Sequence, residues 1–164
     1  MPEIILPGAP ARSEITTQTR AKWNIPNSQS LDSSLGYERE HEKKRREYPQ
    51  ARFRTGVIPV YNCHGLTFGA RRTTIWQIPA VQQILRDDHY ERVVLEEVEP
   101  GDIVLYISAE DGDIEHSGIV VHAPEPPLLI PRVWSKWGFG AEVVHFANDC
   151  PYDFSQAQYY RIRS

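Results

Sequence analysis

From residue 90 onward the chain is a series of short β-branched and aromatic segments divided by turn signals, and that alternation limits its fold more than any other feature. "ERVVLEEV" runs into the turn "EPGD", and "IVLYI" (103–107) then reads as a buried strand. "DGD" turns the chain into "HSGIVVH" (116–122), followed by "PRVWSKW" (131–137), "AEVVHF" (141–146) and "YYRIR" (159–163). Helical patterns precede these strands. "GYEREHEKKRREY" (36–48) carries i,i+4 charge pairs such as Glu42 with Arg46. "CHGLTFGARR" predicts a helix starting at or just after Cys63, and "IPAVQQILRDDHY" (78–90) sets Val81, Ile84 and Leu85 at helical spacing behind Pro79. Helices first and adjacent strands after them predict an α+β fold with an antiparallel sheet.

A chain of 164 residues makes about one domain with its own core. The net charge of −4 and a pI near 5.9 give no electrostatic reason to expect nucleic acid or an anionic membrane as partner. The basic run Lys43–Arg46 is balanced by Glu38, Glu40, Glu42 and Glu47, which predicts a solvated helix. Residues 1–54 read as an N-terminal extension, polar and extended at first, with Trp23 and Ile25 as anchors and the charged helix as a surface for a protein partner. Residues 55–164 read as the main domain. The start lacks a basic n-region, and no window approaches the roughly 18 apolar residues of a membrane span, so a cytoplasmic location is expected, with export by another route as the alternative. Two cysteines in such a chain are expected as free thiols.

Cys63 is the first candidate for chemistry. A cysteine at a helix start meets unpaired backbone N–H groups and the positive end of the helix dipole, which favour the thiolate. The same groups can hold an oxyanion, and Gly65 leaves room beside the sulfur. His116, after the polar turn "AEDGDIE", is the candidate base at a sheet edge. Alternation gives His116, Gly118, Val120 and His122 one face, with His122 about 20 Å further along the strand.

"YNCHGLTFG", then "EPGDIVLY", then "EHSGIVV", in that order and spacing, resembles the NlpC/CHAP-type superfamily of papain-like cysteine peptidases and amidases. There a D/N-C-x-G segment opens the helix bearing the nucleophile, a P-G-D-[IL]-V-x-[FY] strand follows, and an H-x-G-I-[VY] strand carries the base. The matching residues are Asn62-Cys63-His64-Gly65, Pro100–Tyr106 and His116–Val120. The resemblance covers roughly residues 58–147 and implies a papain-like fold, Cys63 as nucleophile, His116 as base, hydrolysis of an amide bond and no cofactor.

Family members orient the base with a third polar residue on the following strand, usually a histidine. Here that strand is "RVWSKWG", so Ser135 takes the position, with His145 on the next strand competing. Tyr61, Asn62, His64 and Trp134 are the expected substrate contacts, on a peptide or peptidoglycan-like substrate. Two other classes compete. Zinc could draw on Cys63, His64, His116, His145 and Cys150, but no C-x-x-C or H-x-x-x-H spacing supports it, and no metal is expected. The fold could also serve binding alone, without catalysis.

Overall fold

The computed structural model describes residues 12–30 and 35–163; residues 1–11 and 31–34 of the expected extension lie outside the described part. In chain order the elements are strands β1 (Arg12–Ser13) and β2 (Gln29–Ser30), helix α1 (Leu35–Glu47), strand β3 (Arg52–Phe53), and helices α2 (Cys63–Phe68) and α3 (Ile78–Asp87). Strands β4 (Tyr90–Val93), β5 (Ile103–Ile107), β6 (Ile114–His122), β7 (Arg132–Lys136), β8 (Glu142–Phe146) and β9 (Gln158–Ile162) follow. β1 and β2 pair with each other, and the remaining seven strands form one sheet in the spatial order β3-β8-β7-β6-β5-β9-β4. Every pairing in it is antiparallel. The fold is therefore mixed α and β on an antiparallel sheet.

The sheet is buried on both faces, which explains why β5 reads as a continuous apolar run. Ile103 and Leu105 point to one face and pack with Ile75, Ala80, Val81 and Ile84 of the α3 region. Val104 and Tyr106 point to the other and join Val120, Val133, Trp137 and Val143. The segment 147–157 and the end of α1 cover this second face, with Tyr48 and Phe53 edge-on to the Trp137 ring at 5.1 and 5.4 Å. On α1 the predicted ion pairs are partly re-dealt: Glu42 meets Arg45 at 3.8 Å rather than Arg46.

One irregularity decides what β6 shows to each side. Tyr106 pairs with His116, but the next pair is Ile107 with Ile114, so Glu115 is an extra residue, a β-bulge. Ile114 and His116, two residues apart, consequently face opposite sides. Ile114 joins the α3 side, and His116 meets Tyr106 on the other.

The expected division near residue 55 does not separate extension from body. β3 lies before it and joins the sheet through β8. Ile25 is 4% exposed in the α3-side core, whereas Trp23 is 37% exposed and is no anchor. The amide of Arg20 donates to Asp88 at the end of α3 at 2.7 Å. Among the described residues no helix is long and apolar enough to cross a membrane.

Candidate active site

Cys63 is the first residue of α2, and the side chain of Asn62 caps the helix. Its Oδ1 accepts the amide of Gly65 at 2.9 Å and that of Ile75 at 3.2 Å, while Nδ2 donates to the Ile75 carbonyl at 2.9 Å. These bonds commit the buried Asn62 side chain to the helix start and to segment 73–75, not to an open cleft. Gly65 serves the same junction. A Cβ there would lie 1.9 Å from the Thr73 carbonyl oxygen, so the missing side chain admits the neighbouring backbone rather than a substrate.

The Cys63 thiol is buried at 7% exposure, and burial pushes its pKa up to about 11. The backbone amides of Ser117, His64 and Cys63 itself act against that rise, as does the charge of Lys136. Lys136 is fully buried and donates to the carbonyls of Ile58, Tyr61 and Gly138 at 2.6, 3.1 and 3.1 Å. Its Nζ also sits 4.8 Å from the centroid of the Tyr61 ring. Burial draws its pKa down to about 7, with Cys63 and Glu142 pulling it back up. The three carbonyl acceptors favour the ammonium as well. Lys136 thereby ties the segment leading into α2 to the turn after β7. Tyr61 completes the wall: its hydroxyl donates to Glu142 Oε2 at 2.9 Å, and Arg71 Nε donates to Glu142 Oε1 at 2.7 Å.

His64 belongs to the same face. The Thr67 hydroxyl donates to the Cys63 carbonyl at 3.0 Å, and the Ser117 hydroxyl donates to Thr67 Oγ1 at 2.9 Å. With its one proton so used, Ser117 Oγ can only accept, and the His64 Nδ1 2.7 Å away must be the donor. The tautomer is thus fixed, leaving Nε2 as the acceptor atom of the ring. Burial lowers the His64 pKa to about 4, so the imidazole is neutral at pH 7. The His64 ring meets the Ser117 hydroxyl, and the Ser117 amide acts to favour the Cys63 thiolate.

The structure does not bring His116 to Cys63. Ser117 faces α2, so its neighbour His116 projects from the opposite side of the sheet. There it stacks on Tyr152, ring centroids 3.6 Å apart and 6° from parallel, with Tyr106 at 5.1 Å. Both ring nitrogens are buried without a hydrogen-bond partner among the described residues. Burial holds its pKa well below the ordinary histidine range, and the charges of His145, His64 and Lys44 act the same way. Ser135 does not orient His116 either. It donates to His145 Nε2 at 2.7 Å and accepts from Trp137 Nε1 at 3.2 Å, while His145 Nδ1 donates to the Phe146 carbonyl at 2.7 Å. Ser135 and His145 are partners in a closed buried network. His122 lies at the far exposed end of β6, beside a cavity of about 350 Å³ bounded by Pro126, Leu128, Arg132 and Phe146.

Of the expected substrate contacts, Tyr61, His64 and Trp134 lie on the Cys63 face. The residues weighed as zinc ligands divide between the two faces: Cys63 and His64 on one, His116, His145 and Cys150 on the other. Among the described residues no group of three or more His, Cys, Asp or Glu side chains is placed to hold a metal ion. Sequence reasoning missed Lys136, Ser117, Glu142 and Arg71. Lys136 did leave a signal, as a lysine between two tryptophans at an inward position of a buried strand. Ser117 left none, because alternation sends His116 and Ser117 to opposite faces without saying which face meets the helix. Comparison with family models, curated proteins and solved structures returns no match to this chain.

Proposed function

We propose that the chain is a papain-like cysteine hydrolase of NlpC/CHAP type, a peptidase or amidase with Cys63 as its nucleophile. One observation carries this reading. At the start of α2, the backbone amides of Ser117, His64 and Cys63 itself and the charge of Lys136 all act on the Cys63 thiol in favour of its thiolate. Such a set of donors stabilises a thiolate and, in the next step, the oxyanion of a tetrahedral intermediate. The base in this reading is His64, the imidazole on the same face, with Nε2 open as acceptor. The Cys63 proton passes to His64 as sulfur attacks the amide carbon, and then to the leaving amine as the C–N bond breaks. Water hydrolyses the resulting thioester and restores the thiol. Lys136 positions the segment 58–61 and holds positive charge near the sulfur.

The reading is tested by turnover on a panel of peptide p-nitroanilides. Cys63→Ala and His64→Gln abolish release of the amine, and His116→Phe retains it. Turnover surviving in Cys63→Ala ends the proposal. Loss in His116→Phe with an intact fold returns the base role to His116.

A second reading, a binding module without catalysis, draws on the resting energetics. A thiol near pKa 11 beside an imidazole near 4 places the thiolate–imidazolium pair on the order of 10 kcal/mol above the neutral pair. Under this reading no variant of Cys63 changes function, and no amide of the panel is cleaved.

A further inference from the structure

Beyond Lys136, the Cys63 face of the sheet continues into a cationic corner that the chemistry above does not use. Trp134 lies two residues before Lys136 on the same face of β7, about 7 Å along the strand. Two guanidinium groups flank its indole: Arg71 with Cζ 5.4 Å from the ring centroid and Arg54 at 5.9 Å. Arg54 follows the edge strand β3, and its amide donates to the Glu142 carbonyl at 2.8 Å, which fixes where the side chain starts. Arg71 is placed by an unusual turn. Ala70 and Arg71 have φ of 52° and 64°, consecutive left-handed residues that are not glycine, each costing about 1–2 kcal/mol. That turn sends Arg71 across β8 to Glu142.

The charges there do not balance. Glu142 is engaged by Tyr61 and by Arg71 Nε, and the two terminal nitrogens of Arg71 make no bond among the described residues. The Arg54 guanidinium has no acidic partner among the described residues, although the chain as a whole carries a net charge of −4. A third donor belongs to the same indole: Trp134 Nε1 is buried and has no hydrogen-bond partner among the described residues. A stranded buried donor is destabilising, and such groups are rare unless something accepts from them.

We infer that Arg54, Arg71 and Trp134 form a subsite for a carboxylate of the peptide substrate, an inference that rests on the hydrolase reading of Cys63. A carboxylate presents two in-plane oxygens that match guanidinium N–H pairs and leaves a lone pair for the indole N–H. The preferred substrate is therefore a peptide that carries an acidic side chain or a free C-terminus.

The test is a binding titration on full-length Cys63→Ala protein, so that its outcome is independent of turnover. The probes are N-acetyl-dialanine with a free C-terminus, its C-terminal amide, N-acetyl-glutamyl-alaninamide and inorganic phosphate, read by the indole N–H resonance of Trp134. Either carboxylate probe shifts that resonance and the amide does not; which of the two binds tighter tells a C-terminal from a side-chain carboxylate. Arg54→Gln, at an exposed side chain, weakens carboxylate binding by about tenfold, as expected for loss of one charge-assisted contact. Trp134→Phe, followed by isothermal titration because it removes the reporter, keeps the packing and weakens binding by a smaller factor. Equal binding of the amide, phosphate binding as tight as the carboxylates, or an unchanged affinity in Arg54→Gln overturns the subsite. Failure of Cys63 turnover with carboxylate binding intact overturns the hydrolase reading alone.

Discussion

His116 and Cys63 are both buried, and burial makes each a poor reagent at rest. For His116 the cost is plain, because an imidazole must keep at least one N–H and neither nitrogen has a partner among the described residues. A stranded buried polar group costs about 1–3 kcal/mol, while the ring still gains from stacking on Tyr152. Phenylalanine keeps the stack and discards the polar atoms. His116→Phe is therefore expected to unfold at an equal or higher urea concentration, with a gain of up to about 1 kcal/mol after its slightly larger volume is accommodated. A loss above about 2 kcal/mol in that titration means the imidazole has a partner that holds it in place. For Cys63 the consequence is kinetic. With its pKa near 11, the thiolate fraction at pH 7.5 is smaller than that of a free thiol by a factor on the order of a hundred. Iodoacetamide at that pH should label Cys63 in the folded protein about a hundredfold more slowly than in urea, as peptide mapping measures. Comparable rates would mean that the amides and Lys136 outweigh burial.

At the scale of elements, α2 depends on how closely segment 73–75 approaches it. A methyl at Gly65 meets the Thr73 carbonyl oxygen at 1.9 Å and the Tyr61 Cβ at 2.9 Å, and backbone cannot step aside as a flexible side chain could. Gly65→Ala must part the helix from that segment and break the bonds of Asn62 to Ile75. A loss of about 3 kcal/mol or more is expected, seen as a lower urea midpoint, because a clash with fixed backbone ranks with the severe core changes. A loss below about 1 kcal/mol would show that the junction is slack. The elements themselves were legible where the pattern is long. β5 read as a buried apolar run, β6, β7, β8 and β9 as β-branched and aromatic segments between turn signals, α1 from charge spacing, and α3 from Pro79 with its apolar stripe. β3 was not legible, because two residues carry no period and Arg52–Phe53 is a strand only through its pairing with β8. The site was half legible for a related reason. Cys63 at a helix start follows from local sequence, but the side of the sheet that receives His116 is set by non-local pairing. The Glu115 bulge places even Ile114 and His116 on opposite faces.

Across the whole molecule, three of the buried histidines, His64, His116 and His145, make folding sensitive to mild acid. Burial lowers the folded pKa of His64 and of His145 to about 4 and holds that of His116 well below 6.5. In the unfolded chain each titrates near 6.5, so between about pH 6.5 and 4 the unfolded state binds protons that the folded state refuses. A depressed histidine pKa thus contributes stability above the unfolded value and loses it as the pH falls. From pH 7 to pH 5 His64 and His145 each cost about 2 kcal/mol, together about 4 kcal/mol, and His116 adds a loss of the same sign, against the 5–15 kcal/mol typical of a domain. Asp102 adds its loss only at lower pH. Burial raises its pKa, but the bidentate bond from Arg161, at 2.7 and 2.8 Å, outweighs burial and keeps the carboxyl below its ordinary value. Urea titrations followed by circular dichroism at pH 7, 6 and 5 should show the midpoint falling steeply across this range. His116→Phe separates the terms: with one refusing histidine removed, the loss from pH 7 to pH 5 should shrink. An unchanged pH slope in that variant would mean that His116 takes up its proton in the folded protein, which requires an acceptor on the Tyr106–Tyr152 side of the sheet.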